Sequence, residues 1–223
     1  MAIQQIRDNL YLIDIDQALE GFRKFISAWL YRINGVTLLV DPGPASTIPY
    51  LVERLKQAGV DRVDHVLLTH IHLDHAGGTG QLLQYFPDAK VNCHPKGIAH
   101  MVAPQKLWEE SKKVLGKVAE AYGEMAPVPE SDISFRERID LGGAFIEAIE
   151  TPGHAPHHVL EALLVRLVVG HADDPRARAG GLLDPLGQDL HCLQGGLVGH
   201  RFGREGPNVA KRHRTETGGH FPF

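Results

Sequence analysis

Cysteine is almost missing from this chain: Cys93 and Cys192 are its only two among 223 residues. Two thiols so far apart cannot build a disulfide framework, and neither sits in a Cys-x-x-Cys pair that would mark redox chemistry. Both read as small buried apolar residues or incidental thiols. A surplus of charge is also lacking. The net charge is -4, which gives no electrostatic case for nucleic acid as an obligatory partner. The basic residues Arg201, Arg204, Lys211, Arg212 and Arg214 cluster without interleaved aromatics, so no base-stacking platform accompanies them. No apolar run is long enough to span a bilayer. The opening Met1 to Asp8 carries no basic stretch followed by an apolar core, so a secretory signal is not expected and cytoplasmic residence is.

What is present is a regular alternation of element types. Leu10 to Ile15 alternates like a strand, and Phe25–Ile33 and Val36–Val40 flank Asn34-Gly35, the strongest short hairpin signal. Ile48, Leu51, Val52, Leu55 and Ala58 follow helical spacing until Gly59 stops the run. A buried strand is predicted over His65–Thr69, a short helix over Gly80–Phe86, and another strand over Ala89–His94. Pro104 to Tyr122 reads as one amphipathic helix. Its apolar stripe, with Trp108 and Tyr122, suits a core or a homodimer face better than substrate contact. Beyond the turn-rich Ala126-Pro127-Val128-Pro129, strands are predicted over Ser134–Leu141 and Ala144–Ile149. Such alternation signals an α/β fold, and the length suits one domain of ordinary size.

The chemistry is concentrated at the end of the His65–Thr69 strand. Three imidazoles and a carboxylate, His70, His72, Asp74 and His75, fall within six consecutive residues. Side chains of an extended segment alternate with period two, so His70 and His72 project to one side. Asp74 and His75 lie where the backbone turns and can point back to the same pocket. Four such groups at one strand end are hard to reconcile with a purely structural role, because buried polar groups need partners. Imidazole and carboxylate suit Zn²⁺ first, with Fe or Mn open to the same residues.

His70-x-His72-x-Asp74-His75 followed by Ala-Gly-Gly resembles the signature of the metallo-β-lactamase superfamily. Thr151-Pro152-Gly153-His154 is similar to its next metal-ligand motif, and Leu39-Val40-Asp41-Pro42-Gly43 to its early strand-end Asp. The resemblance covers about Asn9 to Val159. It implies a four-layer αββα sandwich, glyoxalase II-like or lactonase-like in type. It also implies two metal ions, with His70, His72 and His154 holding one while Asp74, His75 and a later His hold the other. Asp74 is taken as the catalytic residue as well. Two cations roughly 3.5 to 4 Å apart can share a hydroxide whose parent water has a pKa lowered toward about 7. Asp41 and Thr69 are expected to orient ligand imidazoles, although an Asp-Pro-Gly turn accounts for Asp41 equally well. Gly77 and Gly78 are expected to allow close backbone approach. His94, His157 and His158 are not expected to be ligands.

Past that boundary the pattern changes. The bridging Gly-Asp expected after the strand Ala162–Val169 is replaced by Gly170-His171, leaving Asp173 or His171 to take its place. His200 is the best candidate for the last imidazole, with His191 and His220 behind it. Isoleucine is absent after Ile149, tyrosine after Tyr122 and tryptophan after Trp108, and Lys211 is the only lysine after Lys117. Residues 1–170 therefore read as the domain core and 171–223 as an atypical or incomplete C-terminal part. This part is either divergent or the product of a reading frame shifted after about Val159. The joint loss of motifs and residue usage favours the shifted frame, and translating the other frames of the gene checks it.

The function expected on this basis is hydrolysis of an ester, thioester or lactone carbonyl in a small-molecule substrate. A mononuclear iron enzyme acting as a persulfide dioxygenase is the alternative enzyme. A catalytically impaired metal-binding product is the other reading.

Overall fold

The computed structural model describes residues 3–17, 19–151, 154, 155, 157 and 159–165, the last six of these by backbone alone. Strands β1 (Ile3–Arg7), β2 (Leu10–Ile15), β3 (Ile26–Ile33) and β4 (Val36–Val40) form an antiparallel meander. Its tight turn is Asn34-Gly35, where φ is +50° and +79°, the mirror-image geometry that suits the right-handed twist of a hairpin. The chain then crosses through α1 (Ile48–Gln57) to β5 (His65–Leu67), which pairs parallel to β4. α2 (Leu73–Ala76) and α3 (Thr79–Tyr85) lead to β6 (Lys90–Asn92). α4 (Pro95–Val102), α5 (Gln105–Leu115) and α6 (Lys117–Tyr122) precede β7 (Ile133–Ser134), which completes a seven-stranded sheet in sequence order. β8 (Arg138–Asp140), β9 (Ala144–Glu150) and β10 (Val159–Val165) form a second, antiparallel sheet.

The two faces of β4 show how the layers are made. Leu39 packs with the helices, in a cluster that includes Ile48, Leu51, Leu55, Val66 and Leu68. Leu38 and Val40 point the other way and join Leu67 to Ile139, Leu141, Ala144 and Ile146 of the second sheet. Strands buried on both faces read as continuous apolar runs, which is why Val36–Val40 and Val66–Leu68 lack polar alternation. Helices, sheet and sheet are thus three of the four layers expected, and the α/β sandwich stands. The expectation of a second helical layer concerns residues outside those described. Asn34 ties the sheets at their far end, donating from Nδ2 to the carbonyls of Leu141 (2.8 Å) and Gly142 (2.7 Å).

Three elements differ from the sequence reading. The amphipathic run 104–122 is two helices, because Gly116 adopts φ +54° and ψ -123°, a conformation that no helix contains. Ser134–Leu141 is not one strand: Ser134 ends the first sheet and Arg138 starts the second, so this stretch carries the chain from one layer to the other. α4 has no counterpart in the sequence reading; Pro95 opens it, at a position that proline suits.

One inward position carries an imbalance. Ile13, Ile15 and Gln17 fall on one side of β2 and its extension, all buried, yet among the described residues neither end of the Gln17 amide has a hydrogen-bond partner. Burying an unpaired amide costs about 1–3 kcal/mol. Gln17→Leu is accordingly expected to raise stability by about 1 kcal/mol in urea unfolding. A loss of similar size would show that the amide has a partner the fold itself does not supply.

Candidate metal centre

β5 ends at Leu67, the chain bends at Thr69, and His72, at φ -62° and ψ 151°, precedes α2. Ile71 is buried against the helix that carries Gly97, where a Cβ would lie 2.7 Å from Ile71 Cγ2. His70 and His72 nevertheless come together, their rings edge to face with centroids 4.6 Å apart. α2 starts at once, and its first turn presents Asp74 and His75. Their side chains meet, with His75 Nε2 3.5 Å from Asp74 Oδ2.

His154 arrives from the other sheet. It follows β9 through Thr151, with Pro152 and Gly153 outside the described residues, and Val159 at the start of β10 donates its N–H to the Thr69 carbonyl at 2.9 Å. That bond fastens the second sheet to the metal strand. His154 Nε2 lies 3.1 Å from His72 Nδ1, and its ring centroid is 5.1 Å from that of His70. One nitrogen from each of His70, His72 and His154 falls within 4.8 Å of the others. Ligand nitrogens of a tetrahedral cation held at 2.0–2.1 Å lie about 3.3 Å apart. The His72–His154 pair is already at that spacing, so the donor set fits a divalent transition metal.

Asp41 organises both halves of the cluster. It is buried and adopts φ +48°, a left-handed conformation that Asp tolerates better than most residues. Its Oδ1 accepts the Thr69 N–H at 2.9 Å, and its Oδ2 accepts the Thr69 hydroxyl at 2.6 Å and faces His75 Nδ1 at 3.0 Å. An ionised carboxylate only accepts, so the proton at His75 Nδ1 is the donor and Nε2 turns toward Asp74. Thr69 has spent its one hydroxyl proton on Asp41. Its oxygen, 2.9 Å from His70 Nδ1, therefore accepts from that nitrogen and leaves His70 Nε2 as the lone-pair donor. Asp41, His70 and His75 also converge within 4.8 Å, but the Asp41 oxygens are already engaged. Those bonds hold Thr69 and His75 in place, and the turn and the hydrogen bonds are two aspects of one residue.

Burial pushes the His75 imidazole down, but the Asp41 hydrogen bond and the charges of Asp41 and Asp74 outweigh it, leaving His75 above the ordinary histidine value. A raised folded value stabilises the metal-free protein fully below the unfolded pKa of 6.5, and this contribution is lost as pH rises through the higher folded value. Metal-stripped protein is expected to lose this increment as the pH rises above 6.5 in denaturant melts. Asp41→Asn is expected to flatten that dependence, so equal pH slopes in both proteins would refute the assignment.

The remaining candidates separate clearly. His94 is buried but caps α4, its Nδ1 accepting from the Lys96 N–H at 3.2 Å while Nε2 faces Glu150 Oε1 at 3.3 Å. His157 is buried, with its ring centroid 6.2 Å from that of His72. Gly78 lets two loops touch: a Cβ there would come within 2.4 Å of Ile48 and 2.9 Å of the Gly43 carbonyl, which its own N–H meets at 2.8 Å. Trp108 is buried in the core with Leu107. Asp173, His171, His158, His191, His200 and His220 lie outside the described residues. Among the described residues no helix is long and apolar enough to cross a membrane.

Comparisons with known proteins bear on the same region. The family model described as the metallo-beta-lactamase superfamily matches residues 21–166. A metallo-beta-lactamase fold-containing protein of Sulfurisphaera tokodaii, ST1585, is 31% identical over 157 residues, covering 67% of this chain and 57% of that protein. A hydroxyacylglutathione hydrolase of Acidiphilium cryptum is 31% identical over 134 residues, covering 59% and 42%. The chain thus spans about half the length of these curated relatives. The crystal structure of ST1585 superposes with a TM-score of 0.60 at 27% identity, over 70% of this chain and 60% of that one. The FEZ-1 metallo-beta-lactamase of Legionella gormanii shares the fold, with a TM-score of 0.57 at 19% identity over 74% and 58%. The matched segment runs from before Asp41 to beyond His154 and so contains every donor assembled above, which makes this chain a member of the metallo-beta-lactamase superfamily.

Proposed function

We propose that the protein is a metal-dependent hydrolase acting on an ester, thioester or lactone carbonyl of a small molecule. The observation that carries this reading is the convergence of His70, His72 and His154 on one point while Asp41 fixes the orientation of His70 and His75. A bound cation supplies Lewis acidity toward a carbonyl oxygen and lowers the pKa of water from 15.7 toward about 7. His70, His72 and His154 hold the first cation. Asp74 and His75 offer two donors to a second, whose further ligands are assigned to Asp173 and His200. Zn²⁺ suits both donor sets, and Fe or Mn can take the same residues. The relatives named hydroxyacylglutathione hydrolases support the hydrolytic class.

The test is metal analysis joined to a panel of ester, thioester and lactone substrates. Two zinc ions per chain with turnover of one class is the expected result. Among the described residues only the three-histidine set is complete without Asp41, and this favours a mononuclear iron persulfide dioxygenase as second reading. One iron per chain with oxygen uptake selects that reading. Metal uptake with no turnover in either assay identifies a catalytically impaired product. Metal content below about a tenth of an equivalent after reconstitution, at a pH where the ligands are deprotonated, refutes the site.

A further inference from the structure

Lys113-Val114-Leu115-Gly116-Lys117, the corner between α5 and α6, is an unbroken run of exposed residues. Val114 is 56% and Leu115 42% open to solvent. A single exposed apolar side chain is ordinary on any surface. These two differ from the other exposed large apolar side chains of the described residues, Ile6, Phe25, Tyr50, Tyr85 and Ile149, in being adjacent in the chain. Both are therefore presented at one point.

The corner projects because of what anchors it. α5 is held through Leu107 and Trp108 and α6 through Ala119 and Tyr122, all buried in the main core. The two helices pack on each other, and α6 packs further on α2 and on the 3-10 turn Ala45–Thr47. Between them Gly116, at φ +54° and ψ -123°, turns the chain, with nothing within 4 Å of where a Cβ would lie. Backbone conformation, not crowding, calls for glycine there, and the corner faces open space.

Charge frames the apolar pair. Lysine stands at each end of the run and no acid lies within it; the nearest acidic residues in the chain are Glu110 and Glu120. Lys113 Nζ reaches back to Glu110 at 2.7 Å and Lys112 Nζ to Glu109 at 2.8 Å, and exposed pairs of this kind bind weakly. Lys117 makes no ion pair among the described residues. Two aliphatic side chains bracketed by ammonium groups match the boundary of a bilayer that carries anionic lipids, apolar within and negative at its surface. A second copy of the same corner would set like charges against each other, and nucleic acid would find no aromatic ring to stack on.

We propose that the α5–α6 corner is a peripheral membrane contact: Val114 and Leu115 enter the acyl boundary of an anionic leaflet while Lys113 and Lys117 meet its headgroups. A short apolar insertion with a few basic residues gives reversible, salt-sensitive attachment. This contact does not depend on the metal centre.

The test is co-sedimentation of the full chain with vesicles of phosphatidylcholine and phosphatidylserine in equal parts. Wild type is expected to partition onto them at low salt, to be released as salt rises, and to stay in solution with phosphatidylcholine alone. Val114→Ser combined with Leu115→Ser is expected to weaken partition about tenfold. Lys113→Gln and Lys117→Gln are each expected to weaken it about fivefold. Melting temperatures are expected to stay at the wild-type value, because these side chains are exposed. Tyr50→Ser, at a residue of α1 that is 62% exposed, is the control and is expected to bind as wild type does. Failure of the wild type to bind anionic vesicles, or equal binding by the double-serine chain, overturns the proposal. A dimer in sedimentation velocity that the double-serine chain loses, without vesicle binding, assigns the corner to a second copy and overturns it as well.

Discussion

His154→Ala is expected to lower transition-metal affinity by more than the roughly 10–100-fold typical of losing an outer partner of a ligand, and to bring hydrolysis to background. His154 is the only described donor from the second sheet, and its Nε2 stands 3.1 Å from His72 Nδ1. Removing it leaves His70 and His72 as a two-coordinate remnant on one segment. Competition against a chromophoric chelator measures the loss directly. His94→Ala is the informative contrast: it is also a buried histidine at a strand end, but it caps α4. Its removal is expected to cost about 1 kcal/mol of stability with metal affinity unchanged. A fall in metal affinity as large for His94→Ala as for His154→Ala would show that the ligand assignment is wrong.

Asp41→Ala is expected to cost both stability and metal. Three donors lose their acceptor together: the Thr69 N–H, the Thr69 hydroxyl and His75 Nδ1. Buried donors left unsatisfied cost about 1–3 kcal/mol each, so a total above about 3 kcal/mol is expected in denaturant unfolding. The methyl group also replaces a residue type that tolerates φ +48° with one that tolerates it poorly. Asp41→Asn separates these contributions. Asparagine accepts the same backbone conformation but carries no charge, and its amide nitrogen cannot accept. It is expected to keep most of the turn while losing metal affinity by about 10–100-fold. Wild-type affinity in Asp41→Asn would reduce Asp41 to a turn residue.

Much of this site was legible because its donors are close in sequence. His70, His72, Asp74 and His75 fall within one strand end and the helix turn after it, where local geometry decides which way each side chain points. The hairpin at Asn34-Gly35 and the helix ended by Gly59 were legible for the same reason. Elements that depend on neighbours were not. No local rule distinguishes a continuous amphipathic helix from two helices broken at Gly116, since glycine is tolerated in a helix at modest cost. Nor does the run Ser134–Leu141 disclose that its ends lie in different sheets. Apolar residues suit either layer, and only the packing of Ile133 against the helices and Ile139 against the second sheet separates them.

The sequence by itself therefore determined the family, the α/β class and five candidate metal donors in two motifs. Each of these follows from side-chain type and from spacings of a few residues. The tertiary structure decided what Asp41 does and how far His94 is from being a ligand. The physical reason is that a hydrogen bond between Asp41 and residues 28 to 34 positions away, or a contact between helices from different parts of the chain, is made only when the sheet closes. Local sequence fixes which groups a strand end can offer, and the packing of one layer on another fixes what those groups meet.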